Sequence, residues 1–266
     1  LPKIIVLTPI MKNKRGSKPN TKRKSFKNRI LKYLKILFLY VPLLFVSLSI
    51  LWILILKWVP VWYTPLMAIR SVENIGDDTF KTHKTWVPLE KISPNMVMAV
   101  IASEDNRFTE HKGFDWIEIN NALDAGKKGK RLRGASTISQ QTAKNVFLVP
   151  SRSWVRKGLE AWFTVGIENI WGKKRIMEVY LNVAEMGKGY YGAEAAAQNL
   201  FRKSAQKLTQ RESALIAATL PNPLRRRADR PGPYVSSRAT DIQNLMNKVA
   251  RPEWLDQNKT IKQKKK

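Results

Sequence analysis

Residues 36–56 read ILFLYVPLLFVSLSILWILIL, 21 apolar or uncharged positions between Lys35 and Lys57. At about 1.5 Å per helical residue this run reaches roughly 31 Å, the hydrocarbon thickness of a bilayer, and it predicts a transmembrane helix over 36–56. A cleaved signal peptide has a shorter apolar core, about 7–15 residues, with a small-residue cleavage site after it. Here Trp58-Val59-Pro60-Val61-Trp62-Tyr63 follows instead, the composition of an interfacial aromatic belt. Pro42 predicts a kink that membrane helices tolerate. Residues 57–85 read as a polar connector with mixed turn signals, and regular patterning begins near Pro88. From there the period is helical, with elements expected over 96–103, 116–125, 154–169, 173–182, 193–201 and 212–220 and another opening near Ser136 or Thr137. Thr137 with Gln140, and Thr209 with Glu212, have capping-box spacing. Pro221-Asn222-Pro223 stops the 212–220 segment, and a closing helix is expected over 234–250. Strand-like alternation is scarce and no internal repeat is visible, so the fold class is mainly α. The chain divides into a basic tail (1–35), the span (36–56), the connector (57–85), a helical domain (86–250) and a Lys-rich tail (251–266).

Charge fixes the orientation of this layout. Lys and Arg number 48 against 20 acidic residues, giving +28; 12 of the basic residues lie in 1–35, which has no Asp or Glu, leaving +16 for the remainder. A basic N-terminal flank places the tail in the cytoplasm by the positive-inside rule, and everything after Lys57 across the membrane. The tail reads as a topology determinant and lipid-headgroup contact rather than a nucleic-acid site. The excess elsewhere attracts nucleic acid, anionic lipid or phosphorylated substrates, and by itself does not choose among them. The chain has no Cys, which excludes disulfides, thiolate zinc sites and thiol nucleophiles. It begins at Leu1, so Met11 is a candidate natural start.

Two segments carry the chemistry. Ser103-Glu104-Asp105-Asn106-Arg107-Phe108-Thr109-Glu110-His111-Lys112-Gly113-Phe114-Asp115 offers carboxylates, and Gly134-Ala135-Ser136-Thr137-Ile138-Ser139-Gln140-Gln141-Thr142-Ala143-Lys144-Asn145 offers amides, hydroxyls and a cation. Ser136, Gln140 and Lys144 are spaced to share one helix face, with Thr137 and Gln141 beside it. An uncompensated helix start near a cation favours a phosphate or pyrophosphate, against the plainer reading of a solvated polar face. Glu160 lies four residues after Arg156 and three after Lys157, which keeps it ionised in an electrostatic or orienting role; a surface salt bridge is the alternative. Glu104 follows an apolar helix, where partial desolvation suits a carboxylate that takes a proton. His83 and His111 are the only histidines and lack zinc-ligand spacing, so no structural metal is expected, and His111 reads as a local hydrogen-bonding group. Ser204-Ala205-Gln206-Lys207 matches the Ser-x-x-Lys nucleophile spacing, but no Ser-Asp-Asn or Lys-Thr-Gly follows it, so the match is coincidental.

Taken in order, Glu-Asp-x-x-Phe-x-x-His-x-Gly-x-Asp at 104–115, Gly-x-Ser-Thr-Ile-x-Gln-Gln-x-x-Lys-Asn at 134–145, Arg-Lys-x-x-Glu at 156–160 and Lys-Arg-Ile-Met-Glu-Val-Tyr-Leu-Asn at 174–182 closely resemble the peptidoglycan glycosyltransferases, with the match continuing through 192–197 and 212–216. The resemblance covers about 86–230; residues 1–85 match in layout rather than by motif. With no transpeptidase domain, the chain resembles the monofunctional, single-pass form of Gram-negative bacteria. The resemblance implies a lysozyme-like α fold and polymerisation of lipid II into β-1,4 glycan strands with release of undecaprenyl pyrophosphate. It assigns the general base to Glu104 and the leaving-group role to Glu160. Lys144, Arg152 and Arg156 correspond to pyrophosphate contacts, Ser136, Thr137, Gln140 and Gln141 to the cleft lining, and Asp105, Phe108 and Asn145 to its support. Where some relatives carry Lys before the second Glu, this chain has Leu159. No cofactor is required, although the pyrophosphate leaves room for a divalent cation such as Mg2+ or Mn2+. Expected partners are lipid II, the growing strand, the membrane through anionic lipid, and other cell-wall synthesis proteins; nucleic acid is not expected. The implied location is the inner membrane, with the N-terminus cytoplasmic and the catalytic domain periplasmic. The segment 114–133 is expected to be a mobile jaw at the membrane surface, with Trp116, Ile117, Ile119 and Leu123 apolar and Lys127, Lys128, Lys130, Arg131 and Arg133 facing headgroups. A lysozyme-like hydrolase would share the fold and a catalytic Glu without needing the basic cradle. A non-enzymatic anchored binder would explain the charge but not the ordered motifs.

Overall fold

The computed structural model describes residues 29–78, 80–129 and 136–255. Most of the basic tail, Lys130, Arg131, Arg133 and Gly134 of the expected jaw, and residues 256–266 lie outside the described residues. The chain forms two compact units, residues 1–48 and 49–266.

A helix of 28 residues, Arg29–Leu56 (α1), contains the apolar run and starts earlier than its first apolar residue. Pro42 is accommodated by a π-helical turn over Ile36–Tyr40, after which Val41–Leu56 is regular α-helix. The Val41 N–H reaches the Ile36 carbonyl, so the ladder changes register just before the proline that cannot donate. Along Val41–Leu56 only Ser49 and Ile53 are buried; Val46 and Leu56 are partly covered and the other apolar side chains are exposed, as a single-pass membrane anchor requires.

The connector is more ordered than its polar pattern predicts. Pro65–Glu73 is a helix (α2) with Pro at its first turn and Thr64 accepting from the Met67 N–H. Met67 is fully buried and Val61 nearly so, which places this stretch in the domain core. Farther on, His83–Lys84 (β1) pairs in parallel with Tyr190–Tyr191 (β3), which pairs antiparallel with Glu185–Gly187 (β2). These strands of two or three residues are too short to show an alternating pattern.

Helices build the rest: Pro94–Glu104 (α3), Trp116–Lys127 (α4), Ile138–Phe147 (α5), Trp154–Ile170 (α6), Gly172–Val183 (α7), Ala193–Phe201 (α8), Gln210–Thr219 (α9) and Pro233–Met246 (α10). The central one is α3, whose residues from Met96 to Ala102 are all buried, with α9 and α10 packed against it. Because α3 is apolar on every side, burial holds it firmly and fixes the position of the carboxylate at its last residue. Against it stands α4, which buries no residue at all and leaves Trp116, Ile117 and Leu123 exposed. Both capping boxes expected at Thr137 and Thr209 are formed.

Ser49–Leu56 of α1 packs on the helical domain. Trp171 Nε1 donates to the Ile53 carbonyl at 2.7 Å and Trp162 Nε1 to Ser49 Oγ at 3.1 Å. Trp52 meets Phe147 edge-on, and Phe147 stacks on Phe163 with centroids 4.3 Å apart. At the end of α1, Arg175 donates to the carbonyls of Leu56 and Val59 while pairing with Glu178, so α7 holds the exit of the span.

Candidate active site

Glu104 ends α3 half-buried, with both oxygens in contact with donors. Gln141 Nε2 donates to Oε2 at 3.0 Å, and Ser103 Oγ lies 3.1 Å from Oε1 and 3.3 Å from the Ala217 carbonyl. Gln141 is itself held from behind, where the buried Tyr180 hydroxyl donates to its Oε1 at 3.2 Å. Burial, with Glu104 and Asp105 nearby, pushes the Tyr180 phenol well above its ordinary pKa, so it remains a donor.

The next residue turns inward. Asp105 accepts the Ile138 N–H at 3.0 Å and contacts His111 Nε2 at 2.9 Å. The N-terminus of α5, expected to be open to an anion, is thereby compensated by a carboxylate of the same chain. Thr137 and Gln140 close the capping box: Thr137 Oγ1 accepts the Gln140 N–H, and Gln140 Oε1 accepts the Thr137 N–H. Both side chains are buried and committed to the backbone. Ser136 precedes the helix and is exposed, so it does not share a helix face with Gln140 and Lys144. Gly113 makes this junction possible. It adopts φ +92, its carbonyl accepts from Thr137 Oγ1, and a Cβ there would come within 2.8 Å of Thr164 Cγ2. Phe108 is fully buried beneath the Lys173 ammonium, 4.5 Å from its ring centroid.

Asp105, His111 and Asp115 bring their ligand atoms within 4.8 Å of one another. Each carboxylate is already engaged, Asp105 by His111 and α5, Asp115 by the N–H groups of Ile117 and Glu118 at the start of α4. The trio ties three chain segments together.

Beyond Gln141, the same helix contributes to a basic pocket of about 390 Å³ lined by Leu66, Lys144, Asn145, Leu148, Pro150, Ser151, Arg152 and Arg156. The three cations implied by the family resemblance, Lys144, Arg152 and Arg156, therefore meet in one cavity. Glu160, 3% exposed, lies beside it on α6, receives Arg156 Nη1 at 2.7 Å and pairs with Lys157. Lys144 keeps an exposed surface, yet the protein crowding its ammonium desolvates it and lowers its pKa from the ordinary lysine value. Arg156 and Lys157 act in the same direction, while Glu160 and Glu104 oppose. Lys144 thus lies in the fields of both carboxylates.

Several contributors escaped the motif reading. Leu66 comes from α2 in the supposed connector and supplies apolar wall. Ser103 and Tyr180 contact the Glu104 assembly; Tyr180 stood within a quoted motif, and its signal was a large polar side chain in an otherwise apolar helical stripe.

The family profile described as transglycosylase matches residues 70–247. A biosynthetic peptidoglycan transglycosylase of Bacteroides thetaiotaomicron is 52% identical over 244 residues, covering 90% of this chain and 97% of that one. One of the same description from Bdellovibrio bacteriovorus is 54% identical over 78% of this chain and 82% of its own, and one from Caulobacter vibrioides 52% over 77% and 87%. The matched span includes both the Glu104 assembly and the basic pocket, and the chain belongs to the transglycosylase family, the glycosyltransferases of peptidoglycan synthesis.

Proposed function

We propose that this enzyme polymerises lipid II, joining the GlcNAc 4-hydroxyl of an acceptor to the MurNAc anomeric carbon of the growing strand and releasing undecaprenyl pyrophosphate. The observation that carries this reading is Lys144, which stands between a half-buried carboxylate and a cationic pocket and feels both Glu104 and Glu160. A hydrolase acting on finished glycan has no use for such a pocket.

Glu104 accepts the proton of the acceptor hydroxyl as that oxygen bonds to C1; the C1–pyrophosphate bond breaks and its electron pair leaves with the phosphate. A single displacement converts the α donor bond to a β product. Lys144, Arg152 and Arg156 neutralise the departing charge, a task for fixed cations in a partly desolvated pocket. Glu160 orients Arg156 and Lys157 toward it. Both Glu160 oxygens already accept from cations, so the residues present do not form a ready divalent-ion site, and the mechanism is carried by side-chain charge. Orientation follows from the basic residues before α1: the tail cytoplasmic, the catalytic domain on the periplasmic face of the inner membrane. No transpeptidase activity is assigned.

Incubating the purified full chain with labelled lipid II tests the reading. Polymer with loss of the lipid pyrophosphate is expected. Cleavage of preformed glycan, or retention of lipid II without turnover, would overturn it.

A further inference from the structure

The side chain that fixes the Glu104 amide partner is not at the reaction centre. We infer that Tyr180 is a positioning residue for the general base, acting through Gln141 to hold its N–H against the Glu104 carboxylate. This rests on the assignment of Glu104 as the base.

The Glu104 carboxylate and the Ser136 carbonyl are acceptors only, so they take the Nε2 end of the Gln141 amide and leave its Oε1 to find a donor on the other side. On that side Tyr180 offers a hydroxyl 3.2 Å from Gln141 Oε1. The phenol is 1% exposed, in the second half of α7, and burial raises its pKa, so it stays protonated and donates to the Oε1 that faces it. The Nε2 group is then directed at Glu104 Oε2, 3.0 Å away, and at the Ser136 carbonyl, 3.5 Å away. The order Tyr180 to Gln141 to Glu104 crosses three helices, α7, α5 and α3, each held by the core. Around Glu104, the neighbouring elements contribute the charged Lys144 from α5, the Tyr180 phenol from α7 and the uncharged Ala217 carbonyl from α9, with Asp105 next along the chain. Of these, Tyr180 is the group that donates to Gln141 Oε1. Without its hydroxyl Oε1 loses its donor, so the Gln141 side chain can leave this position and withdraw its N–H from the carboxylate that must take the proton.

Tyr180→Phe keeps the ring and its packing and removes only this donor. With lipid II saturating, kcat should fall about tenfold, the worth of one well-placed hydrogen bond, with KM little changed. The acid limb of the kcat profile should move to higher pH. Gln141→Leu alone should reproduce that shift, and in a Gln141→Leu background Tyr180→Phe should have no further effect on kcat. A structural role predicts a lowered melting temperature, an unmoved acid limb, and losses that add in the double variant; any unmoved limb or additive loss overturns the inference. Glu104→Gln separates the two readings. Turnover surviving in that variant removes the base assignment itself, whereas an inactive Glu104→Gln beside a Tyr180→Phe with an unmoved limb removes only the positioning role.

Discussion

Two carboxylates one bond apart in sequence have opposite fates, and the difference decides how substitutions there should behave. Glu104 ends a buried helix with a half-buried carboxylate and is the proposed general base, so Glu104→Gln should preserve folding and lipid II binding while lowering polymerisation by about 10²–10⁴-fold, measured by single-turnover product formation. Lys144 gives a pH test. Its pKa lies below the ordinary lysine value, so in the free enzyme its positive charge is complete at low pH and is lost as pH rises, earlier than for an exposed lysine. The alkaline fall of kcat/KM should therefore begin at a lower pH than an ordinary lysine would give, and Lys144→Arg should move that fall upward; a profile identical in both would remove Lys144 from donor binding. The motif spacings were enough to pick out Glu104, Lys144, Arg156 and Glu160 as candidates, and the family resemblance added Arg152. What they could not show was that Thr137 and Gln140 spend their polar atoms on a capping box, because the same residue types serve a cleft or a helix start equally well. Which of these holds depends on Asp105, which reaches the helix from 33 residues away.

Among the elements, α5 carries the most consequence per residue, since its start sets Gln141 and its next turn sets Lys144. Asp105→Ala would orphan the Ile138 N–H and His111 together and should lower unfolding free energy by about 2–3 kcal/mol, read from denaturant titration. Asp105→Asn should lose less, because an amide oxygen can still accept. Helix positions were legible to within a few residues wherever an apolar stripe met a cap, as at Thr137, Thr209 and Pro233. The helix α2 was not, because its nine residues carry one fully buried side chain, Met67, among polar neighbours. Exposure also sets α4 apart: with no buried residue and three large apolar groups outward, it is held by its Asp115 cap and little else. Its amides should exchange fast in detergent and become protected when anionic vesicles are added. Strong protection of 116–127 in both conditions would show a fixed surface helix rather than a jaw.

At the scale of the whole molecule, the anchor does more than tether. A lone membrane span needs only length and apolarity, and most of α1 follows that rule, but near its end one face is specific. Ile53 is 1% exposed, its carbonyl accepts from Trp171, and its side chain lies against Gly166, where an added Cβ would come within 2.5 Å of it. Leu51, two residues earlier and equally apolar, is 53% exposed. Hydropathy scores the two positions alike, so it does not tell a packed face of the span from a lipid-facing one. Packing separates them. Truncating Ile53 leaves a cavity against α6 that neither lipid nor water fills well, at a cost of about 2–4 kcal/mol, whereas truncating Leu51 exchanges one lipid-facing surface for a smaller one. For a domain of this size, Ile53→Ala should lower the melting temperature of the full chain in detergent by at least about 4 °C, with Leu51→Ala close to the parent. Since Phe147, at the end of the helix that carries Gln141 and Lys144, stacks on Phe163 beneath Trp52, the Ile53 variant should also lose polymerisation at temperatures where the parent is still active. Equal melting temperatures for the two alanine variants would reduce α1 to a simple tether.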